Sequence, residues 1–383
     1  MKVAQRQWTA ENGWQLVSAN GASHQAQLAL VFGALDSLRC EQRMEEIHQF
    51  FPQARLVGCS TAGEILGNRV FDGSITATGV FFEHTKLQFT QTTVEGMEDS
   101  YNAGVRLAEA LRQDELAHVF VLSDGLNVNG SALTQGLQSK LATDVAVTGG
   151  LAAHQELFSE TLVFLDRPSG ANTIVAIGFY GKTLQIRYGS RGGWSSFGPD
   201  RVVTRSRANV VYEMDGQPIL QLYKKYLGEQ ADGLPATGLQ FPLGLAIHNC
   251  QDRLVRTITA VNQDDNSVTF AGDVPEGCLA RLMRANFECL VDGATDSAGQ
   301  CRRDGEPAPT LAVLISCVGR KRVLKQRVDE EVESVRGVLG QDAATTGFYS
   351  YGEICPFGLD HKRAELHNQT MTITTFSEQS CQS

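Results

Sequence analysis

Gly58-Cys59-Ser60-Thr61-Ala62-Gly63 sets a thiol and a hydroxyl between glycines, as a nucleophile elbow does to expose its attacking atom. A G-x-S-x-G elbow needs glycine at position 62, which is alanine, so Cys59 and Ser60 read as turn residues beside a pocket. Gly181-Lys182-Thr183 looks like the end of a phosphate loop. Its flanks read strand, turn, strand, with no helix to present amides to a phosphate, so a hairpin is expected there. The basic run Arg320, Lys321, Arg322, Lys325 and Arg327 is followed by Asp329, Glu330, Glu331 and Glu333. Lys325 with Asp329 and Arg327 with Glu331 have i,i+4 spacing, which is expected to neutralise the run along a solvated helix face. Eight histidines are scattered with no H-E-x-x-H and no zinc-finger spacing, so no structural zinc is expected. No set of acid, base and nucleophile emerges, and the chain reads as a non-enzyme.

Nine cysteines, an odd number without a C-x-x-C pair, fit a reducing compartment better than a disulfide framework. Of the C-terminal set Cys278, Cys289, Cys301, Cys317 and Cys355, Cys317 ends an apolar strand and is expected to be buried and inert. Cys301, beside Arg302, Arg303 and Asp304, is expected to be the reactive one. Three segments gather small residues and polar tips where strands end: 58–64 (GCSTAGE), 148–154 (TGGLAAH), and 347–356 (GFYSYGEICP) with 366–370 (LHNQT). Together they are expected to wall one pocket, lined by Gly58, Cys59, Ser60, Thr61, Gly63, Glu64, Gly149, Gly150, Glu353 and Asn368.

Strands and helices must position these segments. The runs 27–32, 55–58, 61–65, 74–82, 118–122 and 145–148 read as strands, with periodic helical stretches at 37–50 and 101–112. Runs 161–165, 174–179 and 184–188 are separated by short turns, and antiparallel pairing between them is expected. A linking helix is expected over 213–227, a hairpin around 262–266, a helix at 285–292, a strand at 311–317, a charged helix at 323–339 and closing strands at 345–351 and 370–376. No internal sequence repeat is visible. The fold class is α/β, mixed α+β: two domains, 25–215 and 216–376, with mixed, partly antiparallel sheets covered by helices.

The chain has 383 residues, 42% hydrophobic and 20% charged, which suits two globular domains. Its net charge of −10 argues against nucleic-acid or anionic-membrane binding. The N-terminal residues carry Lys2, Arg6 and Glu11 without an apolar run, and a soluble, cytoplasmic protein is expected.

The same segments resemble the FIST domains, an N-terminal and a C-terminal module of intracellular signal-transduction proteins. The N-terminal likeness rests on 58–64, Asp124-Gly125, Thr148-Gly149-Gly150-Leu151-Ala152, Gly193-Trp194 and Glu213-Met214-Asp215-Gly216. The C-terminal likeness rests on Pro242-Leu243-Gly244, Val274-Pro275-Glu276-Gly277, Ser316-Cys317-Val318-Gly319-Arg320, Gly347–Ile354 and Leu366–Met371. One departure stands out: the family pattern continues Gly-Gly-Leu-Ala-Gly-Asp, whereas Ala153 and His154 take the last two places here.

The resemblance implies a small-ligand sensor. A two-module chain without an output region resembles the nitric-oxide-sensing haem proteins called NosP, which regulate a partner histidine kinase or a cyclic-di-GMP enzyme. Non-covalent haem b needs only one or two axial ligands, so the missing C-x-x-C-H does not exclude it. On that reading His367, His154 or His248 meets the iron, with Tyr351 and Cys355 as further donors. Two alternatives stay open: a haem-free sensor of an amino-acid-like metabolite held by loop amides at 58–63 and 149–150, and a cysteine-based redox or metal sensor. A homodimer is compatible with each.

Overall fold

The computed structural model describes residues 1–19, 23–155, 159–168, 170–247, 252–303, 305–357 and 363–379. Three apolar strands lead into helices and then into a second strand that returns parallel to the first, as a long crossover connection requires. Leu28–Gly33 pairs with Arg55–Ser60, Leu116–Ser123 with Ala146–Leu151, and Leu311–Cys317 with Ala344–Ser350. Each first strand then receives an antiparallel neighbour: Ile75–Phe81, Thr173–Tyr180 and Met371–Glu378 respectively. A strand earlier in the chain closes each set, namely Lys2–Thr9, Lys86–Thr93 and Leu184–Arg191. The chain thus builds one supersecondary unit three times, without a visible sequence repeat.

No unit is complete alone, because each sends a short strand pair to a neighbour. Glu64–Leu66 of the first unit pairs with Ala344–Ser350 of the third. Val163–Leu165 of the second pairs with Arg55–Ser60 of the first, and Gly352–Pro356 of the third pairs with Ala146–Leu151 of the second. The exchange closes into a ring. Three corresponding backbone hydrogen bonds mark its seams: Ala62 N–Tyr349 O at 2.9 Å, Ala153 N–Ser60 O at 2.9 Å and Tyr351 N–Leu151 O at 3.3 Å.

Period-two alternation explains how the sheets share a core. Leu28, Leu30 and Phe32, then Phe120 and Leu122, then Leu311, Val313 and Ile315 meet in one cluster drawn from all three units. The intervening Ala29 and Val31, Val119 and Val121, and Ala312 and Leu314 face their own covering helices. Strands buried on both faces read as unbroken apolar runs for this reason. The third unit carries an insertion between Leu184–Arg191 and the helix Phe287–Gln300. It forms an antiparallel sheet from Ser195–Arg207, Val210–Met214, Leu243–Ala246, Leu254–Arg256, Ile258–Asn262, Ser267–Phe270 and Leu279–Arg284, packed on helix Ile219–Leu227.

Several expectations need correction. The strands expected at 161–165, 174–179 and 184–188 exist but do not pair with one another; each joins a different sheet. Short turns fix how far the chain travels, and at a corner of the ring that distance leads to the next sheet. Residues 210–214 are strand, and the helix begins only at Ile219: Asp215 and Gly216, with φ of 50° and 70°, form a tight turn into Gln217–Pro218. The turn lies at the expected 215/216 boundary, and strands on either side of it complete common sheets. The helix expected over 323–339 is two, Val318–Leu324 and Val328–Leu339, separated where Lys325 takes a φ of 52°.

One glycine recurs in each unit. Gly58, Gly149 and Gly347 face Val31, Val121 and Leu314 across the parallel pairs, where an added Cβ would stand 2.2, 1.9 and 1.8 Å from the partner's carbonyl oxygen. Gly347→Ala is expected to destabilise the chain by roughly 1–3 kcal/mol or more through overpacking. Gly337→Ala, exposed on a helix with open space around it, is expected to be neutral or to stabilise by up to about 1 kcal/mol. Urea unfolding of both variants checks the pair.

Candidate functional site

The three segments expected to form one pocket do converge, at the seams of the ring. Counting from the recurrent glycines, Thr61, Ala152 and Ser350 occupy one equivalent position and Glu64, Gln155 and Glu353 another. Two of the units build the same carboxylate cage there. Glu64 accepts from the Thr61 hydroxyl at 2.5 Å and from the Ser74 amide and hydroxyl at 3.0 and 2.6 Å. Glu353 accepts from the Ser350 hydroxyl at 2.6 Å and from the Thr370 amide and hydroxyl at 3.2 and 2.9 Å. Ser74 and Thr370 each sit just before the unit's antiparallel strand. Burial pushes Glu64 up to about 7 and Glu353 up to about 8, against the hydrogen bonds that favour ionisation. In the second unit Asp124 takes over, accepting from Thr161 and from the amides of Leu126 and Asn127.

This convergence is a packed floor and not an open anion nest. Gly58, Cys59, Ser60, Thr61, Gly63, Glu64, Gly149, Gly150, Glu353 and Asn368 are all buried. The amides expected to hold a carboxylate are already used: Ser60 bonds Leu162 O, Thr61 bonds Gly33 O, Ala62 bonds Tyr349 O, and Gly63 donates to the Thr61 hydroxyl. Gly149 and Gly150 sit between two strands in the ladder. The segments 58–64 and 148–153 are thus hydrogen-bonded seams, while His367 and Thr370 of the segment 366–370 reach a cavity.

The candidate iron donors separate on the same grounds. His367 is buried, with Nε2 2.9 Å from Cys355 O and Nδ1 3.2 Å from the Ser190 hydroxyl; burial holds it neutral, with a pKa of about 4. Tyr351 donates to His154 O at 2.6 Å. The Cys355 thiol donates to Gly189 O, and burial raises its pKa. His154 differs: its Nδ1 is buried without a partner. His248 lies outside the described residues. The donors at His367, Tyr351 and Cys355 therefore do not fit haem b as they stand, and His154 alone offers an uncommitted ring nitrogen among the described candidates. Among the described residues no three His, Cys, Asp or Glu side chains are grouped to hold a metal ion.

The thiol expectation also changes. Cys301 is 3% exposed, donates to Ile373 O, and has its pKa raised by burial despite Arg187 nearby, so the adjacent arginines do not activate it. Cys317 is buried as expected. Cys289 and Cys278 are half-buried.

A cavity of about 480 Å³ opens beside His367 and Thr370, lined also by Trp194, Arg253, Asp292 and Asp296. Helix Phe287–Gln300 presents Asp292 and Asp296 at i,i+4 spacing. Both carboxylates are exposed and unpaired among the described residues. Across from them, Gly193 adopts a φ of 70° and presses against the helix, where a Cβ would lie 1.8 Å from Cys289 O. Glycine is required there, and Trp194 is thereby turned to donate its indole N–H to Gln369 O at 2.7 Å. Arg253 lies 2.7 Å from Asp200.

A fully buried ion pair secures this cavity. Arg320, expected on a solvated face, is 0% exposed; its Nε and Nη2 reach Glu331 at 3.0 and 2.7 Å. The guanidinium also donates to Gly192 O at 2.5 Å and Leu290 O at 2.7 Å, tying both cavity walls together. Glu331 accepts from Ser316 and Tyr349 as well. Arg327 pairs with Glu330 instead of Glu331, and Asp329 accepts from the Val70 amide. A second buried arginine, Arg256, bonds Leu366 O at 2.7 Å and joins the inserted sheet to the strand bearing His367.

Compared with known families, residues 27–217 match the FIST N domain and residues 220–356 the FIST C domain. An uncharacterized protein of Methanocaldococcus jannaschii is 22% identical over 329 residues, 80% of this chain. The chain spans 62% of that relative's length. A solved cyanuric acid hydrolase from A. caulinodans aligns over 99% of both chains at 9% identity with a TM-score of 0.36. No helix among the described residues is long and apolar enough to cross a membrane.

Two outcomes follow from the buried charges. Arg320→Ala, which strands Glu331, is expected to cost roughly 3–5 kcal/mol in chemical denaturation, and Arg320→Met with Glu331→Leu to recover much of it. The raised carboxyls Glu64 and Glu353 stabilise the fold most below the ordinary value of 4.5, and lose that contribution as pH rises through about 7 and 8. His367 and His118, lowered to about 4 and 3, act oppositely: their contribution is present above the usual 6.5 and is lost on acidification. Glu64→Gln with Glu353→Gln is therefore expected to flatten the fall in stability between about pH 5 and 8 and leave the acid limb in place, as read by denaturation at stepped pH.

Proposed function

The chain belongs to the FIST family, whose domains are signal-transduction sensor domains that bind small ligands, and on that premise we propose that it senses an amino-acid-like metabolite in the cavity beside His367. The observation that carries this is the charge pattern of the cavity. Asp292 and Asp296 are free to receive an ammonium group, and the Trp194 ring beside them can hold a cation against its face. Arg253 keeps guanidinium donors beyond its pairing with Asp200 and can receive a carboxylate at the other side. Carboxylates on one wall and a guanidinium on another suit a small zwitterion.

The walls connect to the ring. Thr370 lines the cavity and also donates to Glu353, His367 faces Glu353 across paired strands, and Trp194 holds Gln369. A ligand that favours one arrangement of these groups shifts the seam between the second and third units, which is what a signal requires. The receiver is a partner signalling enzyme, a histidine kinase or a cyclic-di-GMP enzyme.

A second reading keeps haem b and nitric oxide, supported by the unpartnered Nδ1 of His154. The visible spectrum of haem-supplied protein addresses it: a Soret band lost in His154→Ala supports that reading, and no Soret band in any redox state removes it. For the metabolite reading, a thermal-shift panel of free amino acids and amines is expected to contain a stabilising ligand, by about 2.7 kcal/mol at a hundred times its dissociation constant. The shift is expected to vanish in Asp292→Asn with Asp296→Asn. A flat panel would count against it.

A further inference from the structure

We propose that the chain carries a second ligand site, a cleft for a nucleoside phosphate along the strand Leu184–Arg191. Two compartments meet there at Arg187 and Arg302. One, of about 740 Å³, is lined by Lys182, Arg187 and Arg302 together with the hydroxyls of Thr183 and Ser377. The other, of about 320 Å³, is lined by Tyr188, Phe357 and Arg303, and shares Phe357 as a wall with the cavity beside His367. A cationic, hydroxyl-lined chamber joined to an aromatic one matches the two halves of a nucleotide, phosphates and base.

The charges of the first compartment decide its sign. Glu378 lines it, but its carboxylate already accepts from the amides of Glu83, His84 and Thr85 and the Thr85 hydroxyl, and it pairs with the N-terminal ammonium at 3.2 Å. Those donors hold its pKa near 2 against burial, so it presents a spent charge. Glu306 is paired with Arg187, and Arg302 and Arg303 add to the positive charge around it. Lys182 is exposed and unpaired among the described residues, and Arg302 makes a single bond to a carbonyl, that of Pro307. Three cations, Lys182, Arg187 and Arg302, thus face one carboxylate, Glu306, that has no other neutralising partner among the described residues, in a chain of net charge −10. The Thr183 hydroxyl is buried without a partner beside them, and the Ser377 hydroxyl accepts from the Thr310 amide while keeping its own proton to donate. An anion with several acceptor oxygens is the ligand class that these donors suit.

The arrangement also explains the Gly181-Lys182-Thr183 run. It is not a phosphate loop in the helix-capping sense, since the chain passes directly from strand Thr173–Tyr180 into Leu184–Arg191. Its lysine and threonine nevertheless reach one cleft with Arg302, which comes from beyond the end of helix Phe287–Gln300.

Fluorescence anisotropy of N-methylanthraniloyl-ADP with the full chain tests the site, with ADP and inorganic pyrophosphate as competitors. Saturable binding that weakens with salt is expected, and Lys182→Ala and Arg302→Ala are each expected to weaken it roughly tenfold, the loss of one charge-assisted contact. Tyr188→Leu is expected to erase the preference for ADP over pyrophosphate. Thermal melts separate lost binding from lost folding, and Asp292→Asn with Asp296→Asn is expected to leave the ADP affinity unchanged. Absence of saturable binding, binding indifferent to Lys182→Ala and Arg302→Ala in folded protein, or pyrophosphate competing as well as ADP overturns the proposal.

Discussion

Everything in this molecule depends on the closed exchange of strands between three like units. Each unit leaves the edge of its second strand open and sends a short pair to cover the open edge of a neighbour, so the ring closes only when all three are in place. Backbone groups that would be orphaned in any one unit are satisfied at the seams, which makes the exchange obligatory. The recurrent glycines set the spacing of the parallel pairs on which the seams rest, with no room for a Cβ against the facing carbonyl. Chemistry-bearing residues far apart in sequence meet because the ring brings them together.

Polar groups are buried at the seams in matching arrangements. Glu64 and Glu353 are enclosed by matching sets of a hydroxyl, an amide and a second hydroxyl, and burial keeps their pKa values near neutrality. The second unit lacks that cage, with Ala152 and Gln155 at the corresponding positions and His154 beside them. Asymmetry between units is where function enters a repeated fold. The third unit diverges furthest: it carries the inserted sheet, the buried Arg320–Glu331 pair, and the cavity between Trp194, His367 and helix Phe287–Gln300. Arg320 touches both walls of that cavity and its counter-ion reaches Tyr349 on the neighbouring strand, so the cavity and the ring share one buried network.

Much of this was legible in the sequence, in uneven measure. Apolar runs such as 27–32 and 311–317 announced themselves as strands, since burial on both faces needs no polar alternation. The segments around Gly58, Gly149 and Gly347 each contain a glycine that a facing carbonyl oxygen requires. A glycine required by a close carbonyl and a glycine lining a pocket look the same in one dimension. Pairing partners were illegible: the turn after 165 only folds Arg167–Pro168 back onto Val163–Leu165, and the connections after 168 and 180 carry the chain between sheets, a fact of three-dimensional closure. The buried Arg320 was illegible too, because a basic run beside an acidic run fits i,i+4 neutralisation equally well until Glu331 is seen to turn inward. Asp292 ends the helix expected over 285–292 and Asp296 lies beyond it; the helix continues to Gln300 and brings both to a cavity wall opposite Gly193.

Trp194 offers the most direct view of the proposed ligand cavity, because its ring forms a wall and its indole proton sits on Gln369 O. Trp8 and Trp14, the other two tryptophans of the chain, lie on strands of the first unit. An indole ¹⁵N–¹H spectrum of the full chain titrated with individual free amino acids therefore carries its own internal reference. The expected result is a saturable shift of the Trp194 resonance alone for at least one amino acid, absent when Asp292 and Asp296 are both changed to asparagine. A Trp194 resonance that no amino acid moves, or that moves equally in that variant, would contradict the assignment of this cavity as the sensing site.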